Sequence, residues 1–411
     1  MEEINKVGYY TLTYKVRFYT NYAKYLKLTT QIYNELILNY YKLLFQYDEF
    51  LNLSNQNCLR KLEEITIKNK NGDKPIEYTD IAVPAYLRRA AINQAIGYRR
   101  TYQKLFRSYK DNSNNKRKPG IATKFNSPII FYKGMYKNFD KDSIQLKLFD
   151  GSDWKWFKAK IKDFHIPKDA EVLSPMIVIH KDYMLAHIPV KRIVPDVTSA
   201  KEKMQKENAR VCGISFSNSD SFAVCTVLDD NGTFQKSLFI DGGKKYQFET
   251  KKILGKIKKH RNHNQNFAQG DHKNYWRKLN RISDYYAHDV SKKIVNFCLE
   301  NNVQVISIPE INDTKKIFEK RMGSYSPYAL RRRIAEYLKY KAFMNGIIVT
   351  TVRSNYLGSK CYRCRANIKK DGLKFVCKNG HKGDYYFNLS MNAGIMCLKK
   401  FGKYKTLKDN F

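Results

Sequence analysis

The sequence predicts a multidomain α+β protein: a helical lobe, a small β-barrel, and an α/β domain interrupted by a metal-binding knuckle. Three observations lead there. Apolar residues three and four apart dominate residues 20–118, and short alternating runs replace them up to residue 192. Beyond residue 209 strands and helices alternate until a cysteine cluster breaks in. With 411 residues, 43% hydrophobic and 14% aromatic, the chain has enough apolar surface for two or three cores.

YYTLTYKVRF, residues 9–18, alternates and is rich in aromatic and β-branched residues, which predicts a strand. A long helical stretch follows from residue 21. After the turn-forming NGDKP at 71–75, Pro84 opens a second long helix, with Thr79 and Asp80 upstream as capping candidates. Leu87, Ala91, Ala95, Tyr98, Tyr102, Leu105 and Tyr109 form its predicted apolar stripe. Arg88, Arg89, Arg99, Arg100, Lys104 and Arg107 lie mostly off that stripe, with no acidic residue between Pro84 and Lys110. They suit a face that grips a nucleic-acid backbone, against the plainer reading of a solvated helix surface.

DNSNNKRKPG, which contains Lys116, Arg117 and Lys118, reads as a basic linker. From there to about residue 192, runs such as SIQLKLFD, WKWFKAKI and YMLAHIPV join the first strand in a predicted small barrel or sandwich. A charged, helical connector, SAKEKMQKENAR, ends at residue 210. VCGISFSN, DSFAVCTVL and TFQKSLFI then predict an antiparallel meander, its last two strands joined by DDNG at 229–232. Helices are expected at 246–260, 273–301 and 326–345, and strands at 303–310 and 347–352. That order is the order of an RNase H-like fold.

The formal charge is +38, from 76 Lys and Arg against 38 Asp and Glu. Such an excess repels itself unless a polyanion neutralises it, so nucleic acid is the expected partner. Abundant Asn, Ile, Lys and Tyr show an AT-rich coding bias, but that bias alone would not leave a two-to-one excess of basic over acidic residues. No run of about 18 apolar residues occurs and MEEINKVGYY holds no apolar signal core, so the expectation is a cytoplasmic, prokaryotic, nucleoid-associated protein without a membrane partner. Of eight cysteines, four are dispersed (Cys58, Cys212, Cys225, Cys298), which argues for a reducing compartment.

The spacing Cys361-x2-Cys364-x12-Cys377-x3-His381 is what a tetrahedral zinc ion requires. Each close pair chelates from one turn, and the gap lets the turns face each other. Four protein ligands leave no position open for a reactive water, so the expected zinc is structural.

This order of parts resembles the transposon-encoded TnpB proteins and the miniature type V-F CRISPR effectors. The resemblance spans the whole chain, with specific motifs at about residues 211–217, 305–312 and 353–394. It implies a β-barrel wedge domain (1–19 and 119–192), a helical recognition lobe (20–118) and a linker (193–208). It further implies a RuvC-like RNase H domain (209–360 and 387–411) with an inserted zinc-binding domain (361–386). The family's nuclease holds its metal ions with three carboxylates. Matched residue by residue, Gly213-Ile214-Ser215 puts Ser215 at the first, Glu310 keeps the second, and Asn388-Leu389-Ser390-Met391-Asn392 places Tyr386 at the third. With two of the three charges gone, Mg2+ is not expected to support cleavage.

The resemblance therefore implies a nuclease-dead, RNA-guided DNA-binding protein. Its partners would be a guide RNA and double-stranded DNA bearing a short flanking motif, and binding would regulate transcription. Repression by promoter occlusion, activation through a sigma factor or RNA polymerase, and a homodimer on one guide all stay open. The competing expectation is an active metal-dependent nuclease using Glu310 with Asp384 or Asp220. The contact residues implied are those of the helical lobe and linker, together with Lys258, Lys259, Arg261, Arg331, Arg332 and Arg333.

Overall fold

The computed structural model describes residues 8–67, 82–111, 117–140, 142–162, 164–168, 170–217, 220–263, 272–311, 329–354 and 356–402. Thr79, Asp80, Lys116 and the side chain of Arg261 lie outside the described residues. The chain divides into two compact units, Tyr9–Ile193 and Val194–Phe411, the second including residues 1–8.

The Tyr9–Ile193 unit joins helices to an antiparallel sheet. Its first elements are β1 (Tyr9–Tyr19), α1 (Ala23–Gln46), a 3-10 turn (Asp48–Asn52), α2 (Asn55–Thr66) and α3 (Ala85–Lys110). They are followed by β2 (Ile129–Ile130), β3 (Tyr136–Lys137), β4 (Ser143–Phe149), β5 (Trp154–Lys162), β6 (Ala170–Val172), β7 (Met176–Ile179) and β8 (Met184–Ile193). The strand order is β2-β7-β8-β1-β5-β4-β3, with β6 also pairing β8. Among the described residues β2 and β3 do not pair with each other, so the expected closed barrel is a half-barrel. The reason is visible in β2 and β3, two residues each, too short to close the seam.

The helical segment and the sheet, read from sequence as separate domains, share one hydrophobic cluster. Leu36 and Tyr40 of α1, Ala91 and Ala95 of α3, and Ile144, Leu146 and Ile188 of the sheet all lie in it. Two α1 side chains fix the docking: Thr29 Oγ1 accepts from Phe149 N at 2.9 Å, and Asn34 Oδ1 accepts from Ser127 N at 2.7 Å. The predicted stripe of α3 holds through Ala95, but Leu105 is 55% exposed. Near that end ring stacking replaces aliphatic burial, with Tyr102 and Phe106 at 5.9 Å between centroids.

In the second unit a five-stranded sheet has the order β11-β10-β9-β12-β13. Its strands are β9 (Val211–Phe216), β10 (Ser221–Leu228), β11 (Phe234–Asp241), β12 (Val305–Pro309) and β13 (Ile348–Val352). The first three form the predicted meander, and β12 runs parallel to both β9 and β13. At the β10–β11 turn Asp229 Oδ1 accepts from Asn231 N and Thr233 N, while Gly232 takes φ +79°, open to glycine at no steric cost. The helices are α4 (Ala200–Met204), α5 (Gly243–His263), α6 (Lys273–Glu300), α7 (Arg331–Met344) and α8 (Tyr385–Phe401).

Every residue of β9 is buried, because the sheet is covered on both faces. Cys212, Ile214 and Ile306 pack with α6 and α7, whereas Val211 and Val305 pack with α8. Alternate residues of a strand face opposite sides, so Gly213, Ser215 and Ser307 belong to the α8 side. α8 comes unusually close there: a Cβ on Gly213 would sit 2.0 Å from the Ser390 carbonyl oxygen. Ser307 Oγ donates to the Ala393 carbonyl at 2.7 Å. The small sheet β14 (Ile368–Asp371), β15 (Lys374–Cys377) and β16 (Lys382–Asp384) leads directly into α8. No described helix is long and apolar enough to cross a membrane.

Candidate functional site

The candidate metal centre is built from two turns. In the first, Arg365 N donates to Cys361 O at 2.9 Å, and Arg365 adopts φ +60°, turning the chain back after Cys364. In the second, Cys377 N donates to His381 O, Gly380 N donates to Cys377 O, and His381 N donates to Cys377 Sγ at 3.2 Å. The four ligand atoms then lie within 4.8 Å of one another. Cys364 Sγ and Cys377 Sγ are 3.7 Å apart, and His381 Nδ1 lies 3.3, 3.4 and 3.9 Å from the three sulfurs. Ligand bonds of about 2.3 Å to sulfur and 2.1 Å to nitrogen give tetrahedral edges of about 3.8 and 3.6 Å. The donor set, three soft sulfurs and one imidazole, and the spacing both fit a tetrahedral metal ion such as zinc.

What holds the first turn is the start of α8. Asn388 Oδ1 accepts from Tyr362 N at 2.8 Å, and its Nδ2 donates to Lys360 O at 2.9 Å. One helical turn on, Asn392 Nδ2 donates to Leu357 O and Lys360 O, and its Oδ1 accepts from Arg365 at 2.7 Å. Both asparagines are buried and fully engaged. The Asn-x3-Asn motif thus has a structural task, clamping the Cys361–Cys364 turn, that is independent of any nearby carboxylate.

Of the three positions matched to the family's carboxylates, Ser215 and Tyr386 meet on the α8 side of the sheet, whereas Glu310 lines a groove against α7. Ser215 is 1% exposed, and its Oγ donates to the backbone carbonyl of Tyr386 at 2.7 Å. β9 and β12 are aligned at Gly213 and Ser307; continuing that register sets Ser215 beside Pro309, one residue before Glu310. Glu310 ends β12, with its N–H donating to Val352 O at 2.8 Å. Tyr386 lies in the first turn of α8, its ring buried, and Lys370 Nζ approaches the Tyr385 and Tyr386 rings to 4.3 and 5.4 Å. A serine hydroxyl, a phenol ring and an ammonium group therefore gather at the start of α8. Lys370, which the sequence offers only as one of several basic residues around the metal ligands, pairs with Phe375 across the β14–β15 hairpin.

Neither alternative carboxylate is free. Asp384 caps α8, its Oδ1 accepting from Phe387 N at 2.7 Å, and Asp220 pairs with Lys244 at 2.5 Å. Glu310 is exposed and, among the described residues, makes no ion pair. It lines a half-open groove of about 300 Å³ with Arg332, Glu336, Lys339 and Thr351. Glu336, which the sequence did not single out, is tied to Arg332 at 3.2 Å.

Many of the cations expected to contact nucleic acid are engaged within the protein. Arg99 is 6% exposed, pairs with Asp48 at 2.7 Å and lies 3.9 Å over the Phe45 ring. Arg88 and Arg89 both reach Glu63, at 3.3 and 3.0 Å. Arg100 donates to the carbonyls of Leu51 and Leu53 and to Asn55. These four arginines tie α3 to α2 and the 3-10 turn, an outcome hidden from sequence because the acidic partners precede α3 by more than one turn of any helix. Arg333 pairs with Asp284 at 3.2 Å. Lys104, Arg107, Arg117, Lys118, Lys258 and Lys259 are exposed.

A model of the Aq_aa04 family matches residues 10–150, from β1 to the end of β4. No curated protein matches the chain. Among solved structures it is similar to the protein of a Cas12f1–sgRNA–target DNA complex, with 15% identity over 94% of this chain and 99% of that one and a TM-score of 0.37. It is also similar to the mini-RNA-guided endonuclease CRISPR-Cas_phi3, with 10% identity over 95% and 93% of the two chains and a TM-score of 0.47. A third likeness is to CasPhi-2 (Cas12j) bound to crRNA, with 8% identity over 95% and 98% and a TM-score of 0.49.

Proposed function

We propose that the protein is an RNA-guided DNA-binding protein with an inactivated RuvC-type site, which occupies its target without cutting and thereby regulates transcription, by blocking a promoter or by recruiting a sigma factor or RNA polymerase. The single observation that carries the loss of cleavage is the hydrogen bond from Ser215 Oγ to the Tyr386 carbonyl, at 2.7 Å, where two carboxylates would have to face a metal pair. Supporting the RNase H-like assignment is the sheet itself, an antiparallel meander followed by two strands parallel to its first. The charge of +38 supports a polyanionic partner. In such a protein the guide reads sequence by base pairing, and the polypeptide holds the heteroduplex backbone and a short flanking motif.

Zinc, when bound by Cys361, Cys364, Cys377 and His381, supplies cross-linking of the two turns and no reactive water. The residues themselves orient the hairpin that carries Lys370 onto the start of α8.

The test has two steps. Purified protein is first analysed for co-purifying small RNA, and nuclease-free protein arriving clean would reject the guided reading. The RNA-loaded protein is then given a matched plasmid with Mg2+ or Mn2+, the expected result being a footprint without a cut. Cutting abolished by Glu310→Ala would instead establish an active nuclease.

A further inference from the structure

Helices α5 and α6 pack along a seam that the functional reading has not used. On α5 it runs through Ile253, Ile257 and His260, and on α6 through Leu279, Tyr275 and the N-cap residue His272, each set spaced three and four residues apart and so close to one helix face. One end of the seam is an apolar core of its own, formed by Ile253, Ile257 and Leu279 with Tyr275 packed beside it. The other end, where α5 finishes and α6 begins, brings two imidazoles and a phenol together. Ring centroids lie 5.9 Å apart for His260 and His272, 5.8 Å for His260 and Tyr275, and 6.1 Å for His272 and Tyr275. His272 is only 7% exposed.

Simple ring packing accounts poorly for this end. Aromatic pairs favour offset stacks or edge-to-face contacts, and interplanar angles of 57°, 40° and 49° are neither. The Tyr275 hydroxyl stands 3.5 Å from His260 Nε2, long for a hydrogen bond, whose distances run to about 3.2 Å. That separation matches the edge of a tetrahedron around a metal ion, about 3.4 Å for ligand bonds of about 2.1 Å. The same bonds set centroid distances of about 5.2 Å between the imidazoles and about 6 Å from each imidazole to the phenol. Both phenol distances therefore fit. Only the imidazole pair must close, by about 0.7 Å, which rotation of the exposed His260 side chain allows.

We infer that His260, His272 and Tyr275 form a second metal site, for a divalent first-row transition ion of the kind imidazole prefers, zinc included, with the phenol giving up its proton to solvent on binding. Three protein ligands leave a fourth position open, unlike the four-ligand knuckle of Cys361, Cys364, Cys377 and His381. The ion would pin the end of α5 to the start of α6. Lys258 and Lys259 precede His260 and oppose a cation, but both are exposed, so solvent and salt screen that cost.

The test uses the full chain, free of any histidine tag and loaded with zinc at the knuckle, titrated with Co2+ and read by visible absorption. The expected result is one further equivalent of Co2+, displaced by added Zn2+, with ligand-field bands but no sulfur-to-metal charge transfer. His260→Ala, at an exposed position, should weaken uptake more than about tenfold, and Tyr275→Phe, which keeps the ring and its packing, should weaken it and shift the bands. Added Co2+ should also raise the melting temperature of the parent more than that of either variant. No uptake beyond the knuckle overturns the inference. So does uptake unchanged in both variants, which marks an adventitious ion only, or thiolate charge transfer, which puts the cobalt in the knuckle. Neither co-purifying RNA nor plasmid cutting enters these readings, so this site and the guided reading can fail separately.

Discussion

Replacing Asn392 by alanine tests the claim that the start of α8 holds the metal-binding turn. The side chain is 1% exposed and makes three hydrogen bonds: to the Leu357 and Lys360 carbonyls and from the Arg365 guanidinium. Neutral hydrogen bonds contribute about 0.5–1.5 kcal/mol each and one to a charged group about 1.5–3 kcal/mol. Lys360 O keeps its bond from Asn388, and Arg365 is only half-buried, so water replaces part of what is lost. The expected destabilisation is therefore near the low end of the sum, about 3 kcal/mol. Because Arg365 follows the ligand Cys364 directly, metal affinity should fall by about 10–100-fold as the turn loosens, as for other residues that orient ligands. Urea denaturation of the zinc-loaded protein and competition with a chromophoric chelator measure the two effects. Asn392→Asp, which keeps the Arg365 contact but turns the amide donor into an acceptor facing two carbonyls, should be worse than alanine. A loss below about 1 kcal/mol with unchanged metal affinity would refute the clamp.

Other substitutions probe the remaining joints. Gly213→Ala sets a methyl 2.0 Å from a backbone oxygen of α8, so it should cost more than about 2 kcal/mol or prevent folding of the α/β unit, as read by denaturation. Ser215→Asp buries a carboxylate against the Tyr386 carbonyl, which raises its pKa above the unfolded value of about 3.9. The variant's deficit relative to the parent should grow as pH rises above that value, and a pH-independent deficit would count against the geometry. Asp196 is pushed up by burial but held well below the usual carboxylate range by Lys203, at 2.5 Å and 1% exposed, and by Thr198. A depressed folded pKa stabilises above the unfolded value, so stability should fall as pH drops below about 4. Asp196→Ala, which strands a buried ammonium group, should cost about 3 kcal/mol at neutral pH.

The α/β meander was legible because alternation and the DDNG turn are local signals, and the metal ligands because chelation fixes their spacing. The cationic face of α3 was legible as charge but not as function. Glu63 and Asp48, which neutralise three of its arginines, come from α2 and the 3-10 turn, and nothing local in the sequence pairs them. The half-barrel shows the reverse case: WKWFKAKIK carried the alternation that puts its lysines outward, yet only the strand pairing set the end of β5, at Lys160, between β1 and β4.

By itself the sequence determined the chemistry at each position: a serine, a glutamate and a tyrosine at the three matched sites, and four soft ligands at chelating intervals. Only tertiary structure decided which groups meet. It joined Ser215 to the Tyr386 carbonyl across 171 residues, brought Lys370 over the tyrosine rings, and gave Asn388 and Asn392 the carbonyls of a distant turn. Pairing energies depend on distance in space, and a residue's identity states what it can bond but not what folding will bring within reach.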